Sequence, residues 1–197
     1  MGEVAQWVAY RVTPGAVLRA PLPSAPEVGQ GWRGIDLRIA LQLEQLEQLV
    51  ADTAFKTDAA IGLHVEDSFA YGTAFGRTQE PLRFVLGVRS RKVPEAAADA
   101  MARCGISAPT ASWRKGAARG LAAWSVHAPA HPAQAVLYKA MAPQETVGIS
   151  VDVFLAALGL TIVEASAPDP LTLQTIARVQ LAATSKPRRT RRWFRDR

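Results

Sequence analysis

Three runs decide the fold of this chain: Ala60-Ile-Gly-Leu-His-Val65, Phe69-Ala-Tyr-Gly-Thr-Ala-Phe75 and Leu82-Arg-Phe-Val-Leu-Gly-Val88. Alternate positions carry Ile61, Leu63 and Val65 in the first, Phe69, Tyr71, Thr73 and Phe75 in the second, and Leu82, Phe84, Leu86 and Val88 in the third. Successive side chains of a strand point to opposite faces of its sheet, so this period of two marks strands with one face buried. The second and third runs flank Gly76-Arg-Thr-Gln-Glu-Pro81, which predicts an antiparallel hairpin with a longish loop. Together the three runs predict the core of the sheet.

Towards the N-terminus, Glu3 to Val12 reads as a further strand, with Val4, Trp7, Val8, Tyr10 and Val12 in β-favouring company. Residues 13–31 hold Pro14, Pro21, Pro23 and Pro26, which predicts a proline-rich surface loop. From Asp36 to about Phe55 the period changes. Ile39, Leu43, Leu46 and Val50 recur at spacings of 4, 3 and 4, the pattern of an amphipathic helix with Asp36 as its N-cap. The echo Leu43-Glu-Gln-Leu46-Glu-Gln-Leu49 spans under two heptads, so the expected role is packing on the sheet, with a dimer seam as the alternative. On that packing, Leu43, Leu46, Val50, Phe69, Tyr71, Phe84 and Leu86 are expected to share one core.

Beyond the hairpin, Pro94 to Cys104 predicts a short Ala-rich helix closed by Gly105. Residues 110–126 read equally as helix or strand. Pro132 to Ala142 predicts a helix. Another is expected from Ser150 as cap to Gly159, then a strand over Leu160 to Ala165 and a last helix opened by Asp169-Pro170. That last helix places Leu173, Ile176, Val179 and Ala183 on one side and ends at Pro187. Intermingled strands and helices around a central hairpin give the expected class: α+β, with a mainly antiparallel sheet flanked by helices.

The charge is divided unevenly. Residues 186–197 hold seven of the 23 Lys+Arg and one of the 17 Asp+Glu, which leaves 16 of each sign in residues 1–185. The expected organisation is one globular α+β domain over 1–185 and a disordered, solvated Arg-rich tail over 186–197. With 49% hydrophobic residues the chain has ample material for a core, which excludes global disorder. A single cysteine, Cys104, excludes an intramolecular disulfide framework and fits a reducing, cytoplasmic setting. The longest apolar run, Val147 to Val163, is broken by Asp152 and Gly159 and reads as a buried helix followed by a strand, so no transmembrane segment is expected.

Candidate chemistry is sparse. His64 and Glu66 would project to the same face at a strand end, as general acid/base equipment would or as a solvated edge. His127 and His131 have i, i+4 spacing, but Pro129 and Pro132 deny them a shared helical face, so neither a metal nor another cofactor is expected. Cys104 in a last helical turn reads as a small core residue. Gly116-Ala-Ala-Arg-Gly120 lacks the glycines and the Lys-Ser/Thr of a phosphate loop. The clusters Arg89-Ser-Arg-Lys92 and Arg114-Lys115 with Arg119 read as loop charges balanced by carboxylates.

The tail is the strongest functional signal. Lys186, Arg188, Arg189, Arg191, Arg192, Arg195 and Arg197 can contact phosphates while Trp193 and Phe194 stack or wedge. The expectation is a non-enzymatic interaction or assembly module whose tail contacts nucleic acid or another polyanion. The same composition suits an anionic membrane surface or an acidic groove of a protein partner. Alternatives are a small enzyme with a His/carboxylate site, a subunit of a larger assembly with the tail as docking peptide, or a homo-oligomer.

Overall fold

The computed structural model describes residues 5–12, 25–37, 41–76 and 80–161. The expected last helix and the whole tail lie outside the described residues. Among the described residues six strands form one sheet in the order β2-β3-β1-β4-β5-β6, every pairing antiparallel: β1 (Ala5–Arg11), β2 (Glu27–Gly29), β3 (Trp32–Asp36), β4 (Ala59–Glu66), β5 (Phe69–Gly76) and β6 (Leu82–Leu86). Helix α1 (Leu43–Lys56) covers one face beside a 3-10 turn (Glu95–Ala97) and α2 (Ala98–Arg103). The other face carries α3 (Ala111–Trp124), α4 (Gln134–Ala140) and α5 (Val147–Leu158). The class is α+β, as the alternating runs imply. Among the described residues no helix is long and apolar enough to cross a membrane.

Several local expectations change. The proline-rich segment is not loop throughout: Glu27–Gly29 pairs with Trp32–Asp36 across a Gln30-Gly31 turn in which Gly31 takes φ 71. That is a left-handed conformation a glycine adopts at little cost. Asp36 is the last residue of β3, opposite Trp7, and not an N-cap. Helix α1 starts seven residues later, where the Gln42 N–H donates to Gln45 Oε1 at 2.9 Å, half of a capping box. Residues 110–126 resolve as helix to Trp124 followed by a 3-10 turn (Ser125–His127), with the Thr110 hydroxyl accepting from Trp113 N–H at 3.2 Å. Ser150 does not cap α5. Thr146 does, accepting from Ile149 N–H, while the Ser150 hydroxyl donates to Thr146 O. Of the strand expected over Leu160 to Ala165, only Leu160 and Thr161 are described. The Thr161 N–H reaches Val28 O at 2.9 Å.

The proposed seven-residue core also divides. Phe84 stands opposite Gly72 and Leu86 opposite Ala70, so both share the even-numbered face of β5, whereas Phe69 and Tyr71 lie on its odd face beneath α1. Phe84 and Leu86 therefore pack with Trp7, Trp32, Trp124, Leu137 and Phe154. Leu46 and Val50 pack with Val8, Tyr10 and Ile35, and Leu43 joins Phe69 and Tyr71. Two glycines let these layers approach. A Cβ on Gly72 would lie 2.1 Å from the Phe84 ring, and one on Gly62 would lie 2.4 Å from Val50.

Candidate functional site

The α1 face of the sheet gathers the polar side chains with chemistry. His64 and Glu66, two apart on β4, are brought together: His64 Nε2 lies 2.8 Å from Glu66 Oε1. Across the register His64 meets Gln6 of β1, with Gln6 Nε2 at 2.7 Å from His64 Nδ1. The same amide grips the backbone of Leu41, accepting its N–H at 2.8 Å and donating to its carbonyl at 2.7 Å. Leu41 thus orients the Gln6 amide, which presents an N–H to His64 Nδ1. That nitrogen must accept, so Nε2 carries the hydrogen and donates to Glu66. The imidazole is buried, packed at a centroid distance of 6.0 Å from the Phe69 ring. Both ring nitrogens are engaged, and the chain Glu66–His64–Gln6–Leu41 ties β4 to β1 and to the segment leading into α1.

A second constellation was not read from the sequence. Glu47 of α1 points down onto the sheet. Arg83 of β6 donates to both its oxygens at 2.9 Å, and the Tyr71 hydroxyl of β5 donates to Oε1. Arg103 of α2 stands 3.5 Å from Oε1 and donates to Asp99 at 3.1 Å. Burial pushes the Glu47 carboxyl up. Hydrogen bonds from Arg83 and Tyr71 and the charges of Arg83 and Arg103 outweigh it, so the group titrates below its ordinary value. Burial and the neighbouring carboxylate raise Tyr71. Burial also pushes the half-buried Cys104 thiol up to about 12, which keeps it protonated and unreactive as a nucleophile. The signal was faint but present: Glu47 stands four residues after Leu43 and one after Leu46, beside the apolar stripe of α1, and Arg83 lies on the face of β6 opposite Leu82, Phe84 and Leu86.

A comparison with known protein families, with curated proteins and with solved structures finds no match to this chain. The reading therefore rests on the residues themselves.

A polar cleft of about 340 Å³ lies where the Asp67-Ser68 turn, the end of β6 and the start of α5 meet. Arg89 and Lys92, joined by an isolated β-bridge, line it together with Asp67, Glu145 and Thr146. Charges of both signs face the cleft, so the Arg89-Ser-Arg-Lys92 cluster is interleaved with carboxylates. In the other cluster, the Arg114 guanidinium lies 5.6 Å over the Tyr138 ring, and Lys115 borders a shallow groove with Ala133, Gln134 and Ala135.

His127 and His131 do not form a pair of ligands on one helix. His127 ends the 3-10 turn, where its carbonyl accepts the Trp32 indole N–H at 2.8 Å. His131 adopts φ 44 and its Nδ1 lies 2.9 Å from Ser125 O. Burial, reinforced by Arg11 and His131 against the opposing Asp58, lowers the pKa of His127. Among the described residues no group of three or more His, Cys, Asp or Glu side chains is arranged to hold a metal ion. The polyanion candidates Lys186, Arg188, Arg189, Arg191, Arg192, Trp193, Phe194, Arg195 and Arg197 lie outside the described residues.

Proposed function

We propose that this protein is a non-enzymatic interaction or assembly module, with residues 1–185 acting as one unit and residues 186–197 as a cationic arm for nucleic acid or another polyanion. One observation carries the reading: the net charge of +6 resides in the last twelve residues, seven cations against one carboxylate, while the rest of the chain is neutral. Such a segment cannot be buried without stranding charge in a low dielectric, so it serves best in water, facing phosphates. Supporting it, the two polar constellations beneath α1 are engaged in bracing the sheet. His64 has a partner on each nitrogen, and Glu47 has donors on both oxygens. A reducing cytoplasmic setting suits the half-buried, protonated Cys104.

The test compares the full chain with a chain ending at residue 185, titrated with a single-stranded oligonucleotide over a range of salt. Counterion release at four to six phosphates of a single strand predicts a log K against log salt slope of roughly −3 to −4 for the full chain, flattening on truncation. Trp193→Ala should weaken single-strand binding by about 1–3 kcal/mol if the ring stacks on bases. Equal binding by the truncated chain would refute the arm. Tight binding of anionic vesicles, with none of the oligonucleotide, would move the target to a membrane surface.

The enzyme reading keeps one observation in its favour, the His64–Glu66 hydrogen bond at a strand end. In that reading Glu66, half-buried, orients His64 as a general base, and the Gln6 amide has to leave Nδ1 for that nitrogen to take a proton.

A further inference from the structure

The helices on the two faces of the sheet differ in charge. Helices α1 and α2 hold Glu44, Glu47, Asp52 and Asp99 against Lys56 and Arg103. Helices α3, α4 and α5 hold Arg114, Lys115, Arg119 and Lys139 against Asp152. The imbalance is written into the sequence. Residues 100–144 contain five Lys+Arg and no Asp or Glu, which leaves the rest of residues 1–185 with eleven cations against sixteen carboxylates. The neutrality of 1–185 is thus the sum of a basic helical pair and an acidic remainder. The cluster Arg114, Lys115 and Arg119 stands on a helix in the basic part, not on a loop balanced by carboxylates.

We propose that the α3–α4 surface is a binding site for single-stranded nucleic acid. Ser112, Lys115, Gly116 and Arg119 share the outward side of α3, all exposed, and the exposed Lys139 follows Ala135 by one turn on α4. Between the helices lies a shallow groove of about 620 Å³ lined by Lys115, Ala133, Gln134, Ala135 and Tyr138. Gln134 Nε2 donates to Lys115 O at 3.2 Å and holds the two helices together there. One turn further along α4, the Arg114 guanidinium sits 5.6 Å from the centre of the Tyr138 ring. A guanidinium held by a ring is a flat cationic surface of the kind on which a base stacks, while Lys115, Arg119 and Lys139 face phosphates. Gly116 points the same way. It sits in ordinary helical backbone, and a Cβ there would meet nothing within 4 Å, so the fold gains nothing from a residue that weakens the helix. Bare backbone between two cations lets a phosphate chain come close. A bilayer suits this surface less well: its exposed large apolar side chains are Val126 and Val136, and Asp152 stands between Ile149 and Val153 on α5, whereas membrane interfaces are entered by Trp, Phe and Leu. The class of partner rests on the polyanion reading above, but the surface shares no residue with 186–197.

Binding of oligothymidylate to the full chain, read by titration over a range of salt and by ultraviolet crosslinking with peptide mapping, tests this. Crosslinks should fall within residues 114–139. Lys115→Gln/Arg119→Gln should weaken binding at least ~5-fold and flatten the salt slope by about 1.4, the share of two phosphates on a single strand. Lys56→Gln/Arg91→Gln removes the same charge elsewhere and should change binding less than ~2-fold. Gly116→Leu removes no charge and has room in the fold, yet should weaken binding at least ~3-fold by blocking the approach. The proposal is overturned if crosslinks map to 186–197 alone, or if Lys115→Gln/Arg119→Gln binds no worse than the control variant. It is equally overturned if polyglutamate or phosphatidylserine vesicles bind with that dependence on Lys115 and Arg119 while oligothymidylate does not. Crosslinks confined to 114–139 would uphold this surface and refute the arm, so the two readings fail separately.

Discussion

The two faces of the sheet are held by different physics. Beneath α1 the apolar residues surround two polar constellations, Gln6–His64–Glu66 and Glu47–Tyr71–Arg83–Arg103, in which direction matters as much as burial. On the opposite face three helices close over large side chains with little polar content: Trp32 meets Trp124 edge-on at 5.8 Å, and Phe84 meets Phe154 at 4.8 Å. Helix α1 with the short α2 has less helix with which to fix its position than α3, α4 and α5 together, and the polar bonds supply the missing register. A hydrogen bond is satisfied at one relative placement of its partners, whereas apolar contact tolerates sliding.

The largest effect should come from the apolar face. Phe84→Ala removes a ring that is fully buried against Gly72 and Phe154, and the cavity should cost about 3–5 kcal/mol in urea unfolding. A loss below 1 kcal/mol would mean that this face repacks freely. On the polar face Glu47→Ala leaves the Arg83 guanidinium and a buried phenol without their acceptor, while Arg103 loses one ion pair and keeps Asp99. The expected loss is about 3 kcal/mol, at the lower end of the range for breaking a buried pair because both arginines retain some solvent. Adding Arg83→Ala should recover part of it, and strict additivity of the two would show that the pair is not coupled.

Gln6→Ala strands both backbone groups of Leu41 and one His64 nitrogen, for a loss of about 1–3 kcal/mol. It should also raise hydrogen exchange at the start of α1 before any change appears in α3. Simultaneous opening of both faces would erase the distinction between them.

The smallest effect is a matter of pH. The folded pKa of His127 lies below its ordinary 6.5, so the folded state binds fewer protons than the unfolded chain as pH falls. Its contribution is complete above about 6.5 and is lost as the pH falls through the folded value. His127→Gln should narrow the gap between the urea midpoints at pH 7.5 and 5.5. An unchanged gap would place the pH dependence elsewhere. Glu47 has the same sign in a lower window. Its folded pKa is depressed below 4.5, so its contribution persists through neutral pH and is lost only in acid.

Alternation and periodicity by themselves determined β4, β5 and β6, the hairpin, the amphipathic character of α1, the breaks at Gly105 and Gly159, and the location of the charge. These are local properties, since a strand's period, a glycine's left-handed turn and a run of arginines depend on neighbours in sequence. The first hairpin was legible in principle at Gln30-Gly31, but four prolines upstream masked it, because propensity arguments average over a window that here spans two kinds of structure. The start of α1 was misplaced because Asp36 is a good cap in isolation, while pairing with Trp7 draws it into β3. Only the tertiary structure decided which face each strand turns towards which helix. Alternation has a phase but no direction, and the pairing of Tyr71 with Val85 and of Gly72 with Phe84 sends Phe84 away from Leu46. The site followed the same division. His64 and Glu66 were visible as near neighbours two residues apart. Gln6, 58 residues from His64, and Arg83, 36 residues from Glu47, became partners only when antiparallel pairing and the seat of α1 brought distant segments within reach of a hydrogen bond.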